Sequence, residues 1–484
     1  MINTIEDRMV LFRKYLDHTK MIHKQYQFDG VRWILNNELR TDPVCGVRGG
    51  FIADEMGLGK TILMIGTMLC NFVQKTLIVV PPVLLDQWYA QIYRTTGHRA
   101  IVFHGEDKKN IHLEDLNNAK IVITTYGAIT LSRSQIKQKT VTLLHRIVWS
   151  RIIFDEAHHL RNKNTTRYIG ARLLRSNIRW LVSGTPIQNS KKDFYSLCAM
   201  IRLPSSFYTN NDNLRTLTKA FILKRTKNSV GIRITDIHLD TNVVKWTNRK
   251  EMELSEEIHS ALAFSRVSAN KSKQLVSAFS GQLTLLLRAR QTCIYPKLMA
   301  KRLEKMIQSG SITDYSGYKE AFNHSSKLDY AVRNILLRKD NGCGKLIFCH
   351  FREEIDEIAS RLTAGGMTKV ATFDARTTGS KRVDILNEKN DAIILQIQTG
   401  CEGLNLQENY SEIYFISPHW NPAIEDQAIA RCHRIGQTKD VYVQRFEMAN
   451  FIDDELEVDT MTVDKYVGSV QEGKRTIASE CIEI

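Results

Sequence analysis

FIADEMGLGKT, Phe51 to Thr61, reads as a strand running into a glycine loop, followed by an apolar helix that starts at Thr61. Asp54, Glu55, Met56, Gly57, Leu58, Gly59, Lys60 and Thr61 form a candidate nucleotide-phosphate loop. Gly57 and Gly59 let backbone amides face a phosphate with no Cβ in the way, and a helix N-terminus adds positive potential. In this pattern the lysine, Lys60, reaches the β- and γ-phosphates and the hydroxyl of Thr61 ligates Mg2+. Read alone, a tight glycine turn is the plain alternative.

Further along, RIIFDEAHH (Arg151 to His159) ends a buried strand with two acids. Asp155 suits water-mediated Mg2+ binding, and Glu156 suits orienting and deprotonating an attacking water. The alternative is a helix N-cap with acidic first-turn residues. The next strand closes with Ser183, Gly184, Thr185 and Pro186, whose hydroxyls are placed to sense phosphate. DQAIARCHRIGQ (Asp426 to Gln437) sets Arg431 and Arg434 three residues apart, on one face of an expected helix. A nucleotide held between Lys60 and these arginines requires two domains to meet.

The surroundings of these motifs alternate strand and helix. TLIVVPP (Thr76 to Pro82), IVITTY (Ile121 to Tyr126) and RWLVSGTP (Arg179 to Pro186) are short β-branched runs of the kind buried parallel strands show. The pattern returns in KLIFCHF (Lys345 to Phe351), DAIILQIQT (Asp391 to Thr399), EIYFISP (Glu412 to Pro418) and VYVQRF (Val441 to Phe446). Between Lys191 and Ser325 helical periodicity dominates, as in Gln282 to Ala289 and Pro296 to Met306. The expected class is α/β, with two mostly parallel sheets flanked by helices and a helical insert between them. The glycine- and serine-rich stretch Ser309 to Ser326 is the expected hinge.

Composition narrows the partners. The 484 residues suffice for two or three domains, and 43% hydrophobic with 25% charged is ordinary for a globular chain. No apolar run approaches the roughly 18 residues a membrane span needs, and the start MINTIEDRMVLF lacks a secretory pattern. Nine scattered cysteines with no CxxC pair suit a reducing, intracellular compartment and argue against a disulfide framework or zinc module. The histidines show no metal-ligand spacing. Of the net charge of +15, +11 falls between Lys191 and Glu320, where 22 Lys and Arg face 11 Asp and Glu. A basic region of this kind points to a polyanion, nucleic acid first, against the alternative of a solvated helical surface.

Together these motifs resemble the Swi/Snf-type ATPases, DNA translocases of helicase-like superfamily two. YQFDGVRWIL (Tyr26 to Leu35), PPVLLDQW (Pro81 to Trp88), TTYGAI (Thr124 to Ile129), LKRTK (Leu223 to Lys227), RQTCIYP (Arg290 to Pro296) and SSKLDY (Ser325 to Tyr330) match family landmarks in order. GCEGLNL (Gly400 to Leu406), HWNP (His419 to Pro422) and RCHRIGQ (Arg431 to Gln437) complete the series. Coverage runs from about residue 20 to about residue 450, and GLNL with HRIGQ is specific to this family within the superfamily. Three places depart from the pattern. Asp54 stands where strict phosphate loops have a first glycine. Gly400-Cys401-Glu402-Gly403 replaces the usual Ala-Gly approach, and Ala375 replaces a glycine in FDARTTGSKR (Phe373 to Arg382).

The resemblance implies two RecA-like lobes that use ATP and Mg2+. It divides the chain into an N-terminal extension (1–20), a first lobe (21–205), a basic helical insert and linker (206–325), a second lobe (326–450) and a C-terminal extension (451–484). Gln27 is implied to read adenine and Gln437 to join the ATP site, with Arg431 and Arg434 as arginine fingers. Ser183, Gly184, Thr185 and Gly403 are implied to couple the lobes. Trp88, Thr124, Thr125, Thr399, Asn405 and Trp420 are implied to contact DNA. The implied partner is double-stranded DNA carrying a nucleosome, a polymerase or another bound protein, tracked by a monomer without strand separation. A strand-separating DNA or RNA helicase is the alternative enzyme, and a catalytically idle nucleic-acid-binding scaffold the alternative outside enzymes. The place of action follows the source: the nucleus for a eukaryotic protein, the virion or replication site for a large DNA virus.

Overall fold

The computed structural model describes residues 4–184, 191–265, 276, 279, 281–400, 404–451 and 460–482, with backbone only at 379, 380, 399, 400 and 477–482. The chain divides into two compact units, Met1–Arg233 with Thr476–Ile484, and Ile234–Arg475. The stretch Ser309 to Ser326, expected as the hinge, therefore lies inside the second unit, and the chain passes between units at Arg233 and Ile234.

The first unit opens with two helices, α1 (Ile5–His18) and α2 (Gln25–Leu39), before strand β1 (Arg48–Ile52). Helix α3 (Lys60–Cys70) follows the glycine loop, and α4 (Leu85–Thr96) follows β2 (Thr76–Val80). Strands β3 (Ile101–Phe103), β4 (Ile121–Thr125), β5 (Val148–Asp155), β6 (Arg175–Val182) and β7 (Ile222–Leu223) complete a seven-stranded sheet ordered β3-β4-β2-β5-β6-β1-β7. Every pairing in it is parallel. Because strand residues alternate faces, Leu77 and Val79 pack with Phe154 and Leu197 on one side, while Ile78 and Val80 pack with Phe12, Leu63 and Trp88 on the other.

One buried ion pair pins α2 beneath this sheet. Glu38 accepts from Arg151 Nε at 2.7 Å and from Arg151 Nη2 at 2.5 Å, and also from Trp180 Nε1 at 2.8 Å and Asn71 Nδ2 at 2.7 Å. Both carboxylate oxygens are thus doubly satisfied, the condition under which a buried charge is tolerated.

The second unit holds a six-stranded parallel sheet, ordered β10-β11-β9-β12-β13-β8. Its strands are β8 (Ile237–Val244), β9 (Gly344–Cys349), β10 (Val370–Phe373), β11 (Ala392–Gln396), β12 (Tyr410–Phe415) and β13 (Val441–Met448). Strand β8 comes from the segment read as helical. Its burial is slight along most of its length because it is an edge strand, so it lacks the continuous apolar run of its neighbours. Helices α5 (Arg249–His259), α6 (Gln282–Ile294), α7 (Ala300–Gln308), α8 (Ser326–Leu337) and α9 (Arg352–Ala364) supply Ile258, Ala289, Leu303, Ala331 and Ile355 to the core on one face. On the other face, Leu346 and Phe348 pack with Leu404, Leu406 and residues of α10 (Pro422–Ile429). Helix α11 (Val463–Ile482) follows the last strand.

Candidate nucleotide site

In the first sheet, register brings the motifs to one end. Ile52 pairs with Val182 and Asp155 also pairs with Val182, so β1, β5 and β6 finish side by side. The glycine loop, DEAH and SGTP therefore start from adjacent strand C-termini, where open α/β sheets bind ligands. Gly57 (φ 93°) and Gly59 (φ 83°) both lie in the left-handed region, and Gly59 caps α3. A Cβ on Gly59 would come within 2.8 Å of Gln27 Nε2, so the buried amide expected to read a base lies against the phosphate loop. Lys60 Nζ donates to the Asp54 carbonyl at 2.9 Å, and a Cβ on Gly184 would sit 3.3 Å from that ammonium. SGTP thus abuts the loop through Gly184.

The loop is held from beneath by LKRTK. The Ala53 amide donates to Leu223 O and the Glu55 amide to Arg225 O. Asp54 is buried in an ion pair with Arg225, and Lys227 Nζ meets Glu55 Oε1 at 2.9 Å while its amide donates to Glu55 Oε2 at 2.8 Å. Asp54 and Glu55 face these cations, so they shape the loop. LKRTK, as a family landmark, implies no site role for Arg225 and Lys227. The signal available was two cations in LKRTK and two acids in the loop, and only folding pairs them.

Asp155 is enclosed. Trp88 Nε1 donates to its Oδ2 at 2.7 Å, the Glu156 amide donates to its Oδ1 at 3.0 Å, and Tyr126 Oη donates to its carbonyl at 2.7 Å. Burial and the neighbouring Glu156 push its carboxyl up to about 6, against the opposing pull of Trp88 and Lys60. Glu156 has φ 49°, a left-handed pose uncommon for a residue with a side chain. His158 Nδ1 lies 3.2 Å from Glu156 Oε2 and 3.4 Å from Ser183 Oγ, so the histidine of DEAH bridges the candidate base to SGTP.

Three of the expected DNA contacts are buried. Trp88 is 1% exposed, with its indole N–H spent on Asp155. Thr124 is fully buried and donates to Phe103 O at 2.8 Å. Thr125 is buried with its hydroxyl 3.1 Å from His104 Nδ1. Each of these side chains spends its polar group on a partner within the first unit. Thr185, Gly403 and the side chain of Thr399 lie outside the described residues.

In the second unit, α10 ends at Ile429, so Arg431 and Arg434 stand in the turns beyond it rather than on one helical face. The turns hold them together. Arg431 Nε donates to Gln427 O at 3.2 Å and Nη1 to Leu404 O at 3.4 Å, while Arg434 Nη1 pairs with Asn405. The Leu406 amide donates to Arg431 O at 3.1 Å, so GLNL and RCHRIGQ form one assembly. Burial, with Arg431 nearby, holds the Arg434 guanidinium below its ordinary value. Gln437 is buried inside this assembly, donating to Tyr410 O at 3.0 Å and Cys432 O at 3.3 Å and accepting from the Thr438 and Lys439 amides. Its amide shapes the turn. Trp420 is half-buried, with Arg290 Cζ 5.2 Å from its ring centroid and Tyr466 edge-on at 6.1 Å. Asn405 is exposed beside Arg434.

Residues 26–298 match the family model of the SNF2-related domain, and residues 326–436 match that of the helicase conserved C-terminal domain. The chain belongs to the SNF2-related family. It is an ATP hydrolase of helicase-like type. A probable global transactivator of Orgyia pseudotsugata multicapsid polyhedrosis virus is 27% identical, covering 95% of this chain and 91% of its own length. An uncharacterized ATP-dependent helicase of Schizosaccharomyces pombe is 31% identical over 57% of this chain, but the match spans 31% of that protein. The Sulfolobus solfataricus SWI2/SNF2 ATPase core in complex with dsDNA aligns with a TM-score of 0.40 at 22% identity, covering 96% of this chain and 93% of that one. No helix among the described residues of this SNF2-family chain is long and apolar enough to cross a membrane.

Proposed function

We propose that this SNF2-family chain is a duplex-DNA-dependent ATPase that translocates along DNA and displaces or remodels bound protein without separating strands. The observation that carries the ATPase chemistry is the convergence of the glycine loop, DEAH and SGTP at adjoining strand ends of one sheet. The net +11 between Lys191 and Glu320 supports a polyanionic track, as does the family. The viral relative's name as a transactivator supports a role in transcription. A nucleosome, a polymerase or another DNA-bound protein is the proposed obstacle. A viral replication site or a nucleus is the proposed location.

In this reading Lys60 and the amides around Gly57 and Gly59 hold the phosphates, and Gln27, set against Gly59, reads the base. Glu156 orients and accepts a proton from the attacking water, with His158 carrying its state to Ser183. Thr61, in the first turn of α3, and Asp155 are the residues that would hold Mg2+. The donor set fits a hard cation, since the Asp155 carboxyl is raised by burial and then by a second acid, a cost that a divalent charge offsets. Mg2+ when bound draws charge from phosphate oxygens. Arg431 and Arg434, posed by GLNL, are proposed to counter charge on the transferring phosphate; such fingers contribute on the order of 10³–10⁵ in rate.

The test is ATP turnover by the full chain with duplex DNA, single-stranded DNA, RNA and nucleosomes, with triplex displacement and tailed-duplex unwinding alongside. Duplex stimulation with triplex displacement and no unwinding is expected. Turnover indifferent to duplex DNA overturns the reading. Binding to duplex should also fall steeply with added salt, because phosphate contacts release counterions.

A further inference from the structure

One guanidinium joins the two segments assigned above to ATP. Arg225 Nε donates to Asp54 Oδ1 at 3.0 Å, its Nη2 pairs with Asp54 Oδ2, and its Nη1 donates to the Tyr26 carbonyl. Its Cζ also lies 5.4 Å from the centroid of the Tyr26 ring. The Asp54 side chain is fully buried and that of Arg225 is 15% exposed. Passage of the guanidinium over α2 depends on Gly30, where a Cβ would come within 2.8 Å of Nη2. Tyr26 immediately precedes Gln27, and Asp54 opens the glycine loop. Arg225 thus grips both segments from a third, and Lys227 adds a parallel hold on Glu55.

We propose that Arg225 is a positioning residue that sets the spacing between the base-reading segment Tyr26–Gln27 and the phosphate loop Asp54–Thr61, and so sets selectivity among nucleoside triphosphates. The proposal rests on the ATPase reading of those segments. A planar fork binding a carboxylate through two N–H groups fixes orientation as well as distance, which a flexible ammonium cannot do. Asp54 stands where strict phosphate loops carry a glycine, and the pair gives that departure a use: the loop gains an anchor at its entry. A base held by Gln27 and phosphates held by Lys60 are read together only if their separation is constant. The other polar ties of α2 to the sheet, Glu38 to Arg151 and Asn37 to the Gly49 amide, lie at the far end of the helix from Tyr26.

The experiment uses the full chain as Arg225→Lys, Arg225→Ala and Gly30→Ala, the last of which pushes Nη2 aside. Binding of ribose-labelled fluorescent ATP and GTP is measured together with thermal melting. The wild type is expected to prefer ATP, and each variant to bind ATP about tenfold or more weakly, with the ATP-to-GTP ratio falling toward one. Arg225→Lys keeps the charge and serves if Arg225→Ala fails to fold. Folded variants that retain the wild-type ratio overturn the proposal, as does a wild type that binds both nucleotides equally. Lys60→Ala separates the two claims. If the wild type neither binds nor hydrolyses ATP, and Lys60→Ala changes nothing, the ATPase reading itself fails. If Lys60→Ala abolishes turnover while the Arg225 variants discriminate normally, only the positioning role fails.

Discussion

The indole of Trp88 donates to Asp155 Oδ2 at 2.7 Å across 67 residues of sequence, joining helix α4 to the end of β5. Asp155 is already raised to about 6 by burial and by Glu156. Trp88→Phe keeps most of the ring and removes the indole donor to Asp155, leaving that oxygen with one partner fewer in a low-dielectric site. The ionised form needed for cation binding becomes harder to reach, so the acid limb of the ATPase pH profile moves to higher pH. Loss of such a bond costs about 1–3 kcal/mol. A pH–rate profile of Trp88→Phe against wild type checks this, and an unmoved limb contradicts it.

Glu156 is the proposed water-orienting base. Glu156→Gln preserves size and the backbone pose but cannot accept a proton. Nucleotide binding should persist while turnover falls by roughly 10²–10⁴-fold. Single-turnover hydrolysis alongside fluorescent-nucleotide binding distinguishes this from a folding defect, which lowers both.

The Glu38–Arg151 pair is a stability element, remote in role from the chemistry. Glu38→Leu leaves Arg151 buried with only the Asn71 carbonyl among its strong acceptors, and strips partners from Trp180 Nε1 and Asn71 Nδ2. Removing one member of a buried pair costs about 3–5 kcal/mol. Denaturant unfolding followed by near-ultraviolet circular dichroism should show the first unit's transition shifted, with the second unit's unchanged.

His259 gives the second unit a pH dependence. It is buried, its Nε2 accepts from the Val463 amide at 3.0 Å, and burial holds its ring down to about 4 against an ordinary 6.5. The unfolded chain therefore binds the proton first, and stability falls as pH drops from 6.5 to 4, then levels off. The shift corresponds to about 3 kcal/mol. Glu251 and Glu354, both raised to about 7 by burial, act in the opposite sense, gaining stability as pH falls through their folded values. The difference between wild type and His259→Gln isolates the histidine. The gap should move toward the variant by that amount between pH 7 and 4, measured by urea unfolding at each pH.

Arg434→Lys keeps a cation but loses the planar guanidinium whose Nη1 pairs with Asn405. Turnover should fall by at least tenfold while melting stays near wild type, because the turn is held by backbone bonds and by Gln437. Wild-type turnover in this variant argues against a finger role.

Sequence alone was enough for the strands that form the centres of both sheets. TLIVV, IVITT, KLIFC and EIYF are largely apolar and buried throughout because both faces of a central parallel strand are covered. It also marked the glycine loop, where Gly57 and Gly59 take the left-handed backbone that glycine adopts without strain. Edge strand β8 escaped, because half-exposed residues carry no such run. Tertiary structure decided the partners of charged and polar groups. Asp54 faces Arg225, Glu55 faces Lys227, Asp155 faces Trp88, and Arg434 faces Asn405. Each pair joins residues far apart in the chain, and no local periodicity encodes which distant donor a buried acceptor will meet. Burial of Trp88, Thr124 and Thr125 was decided in the same way: a motif shows what a side chain is able to touch, and packing determines what it does touch.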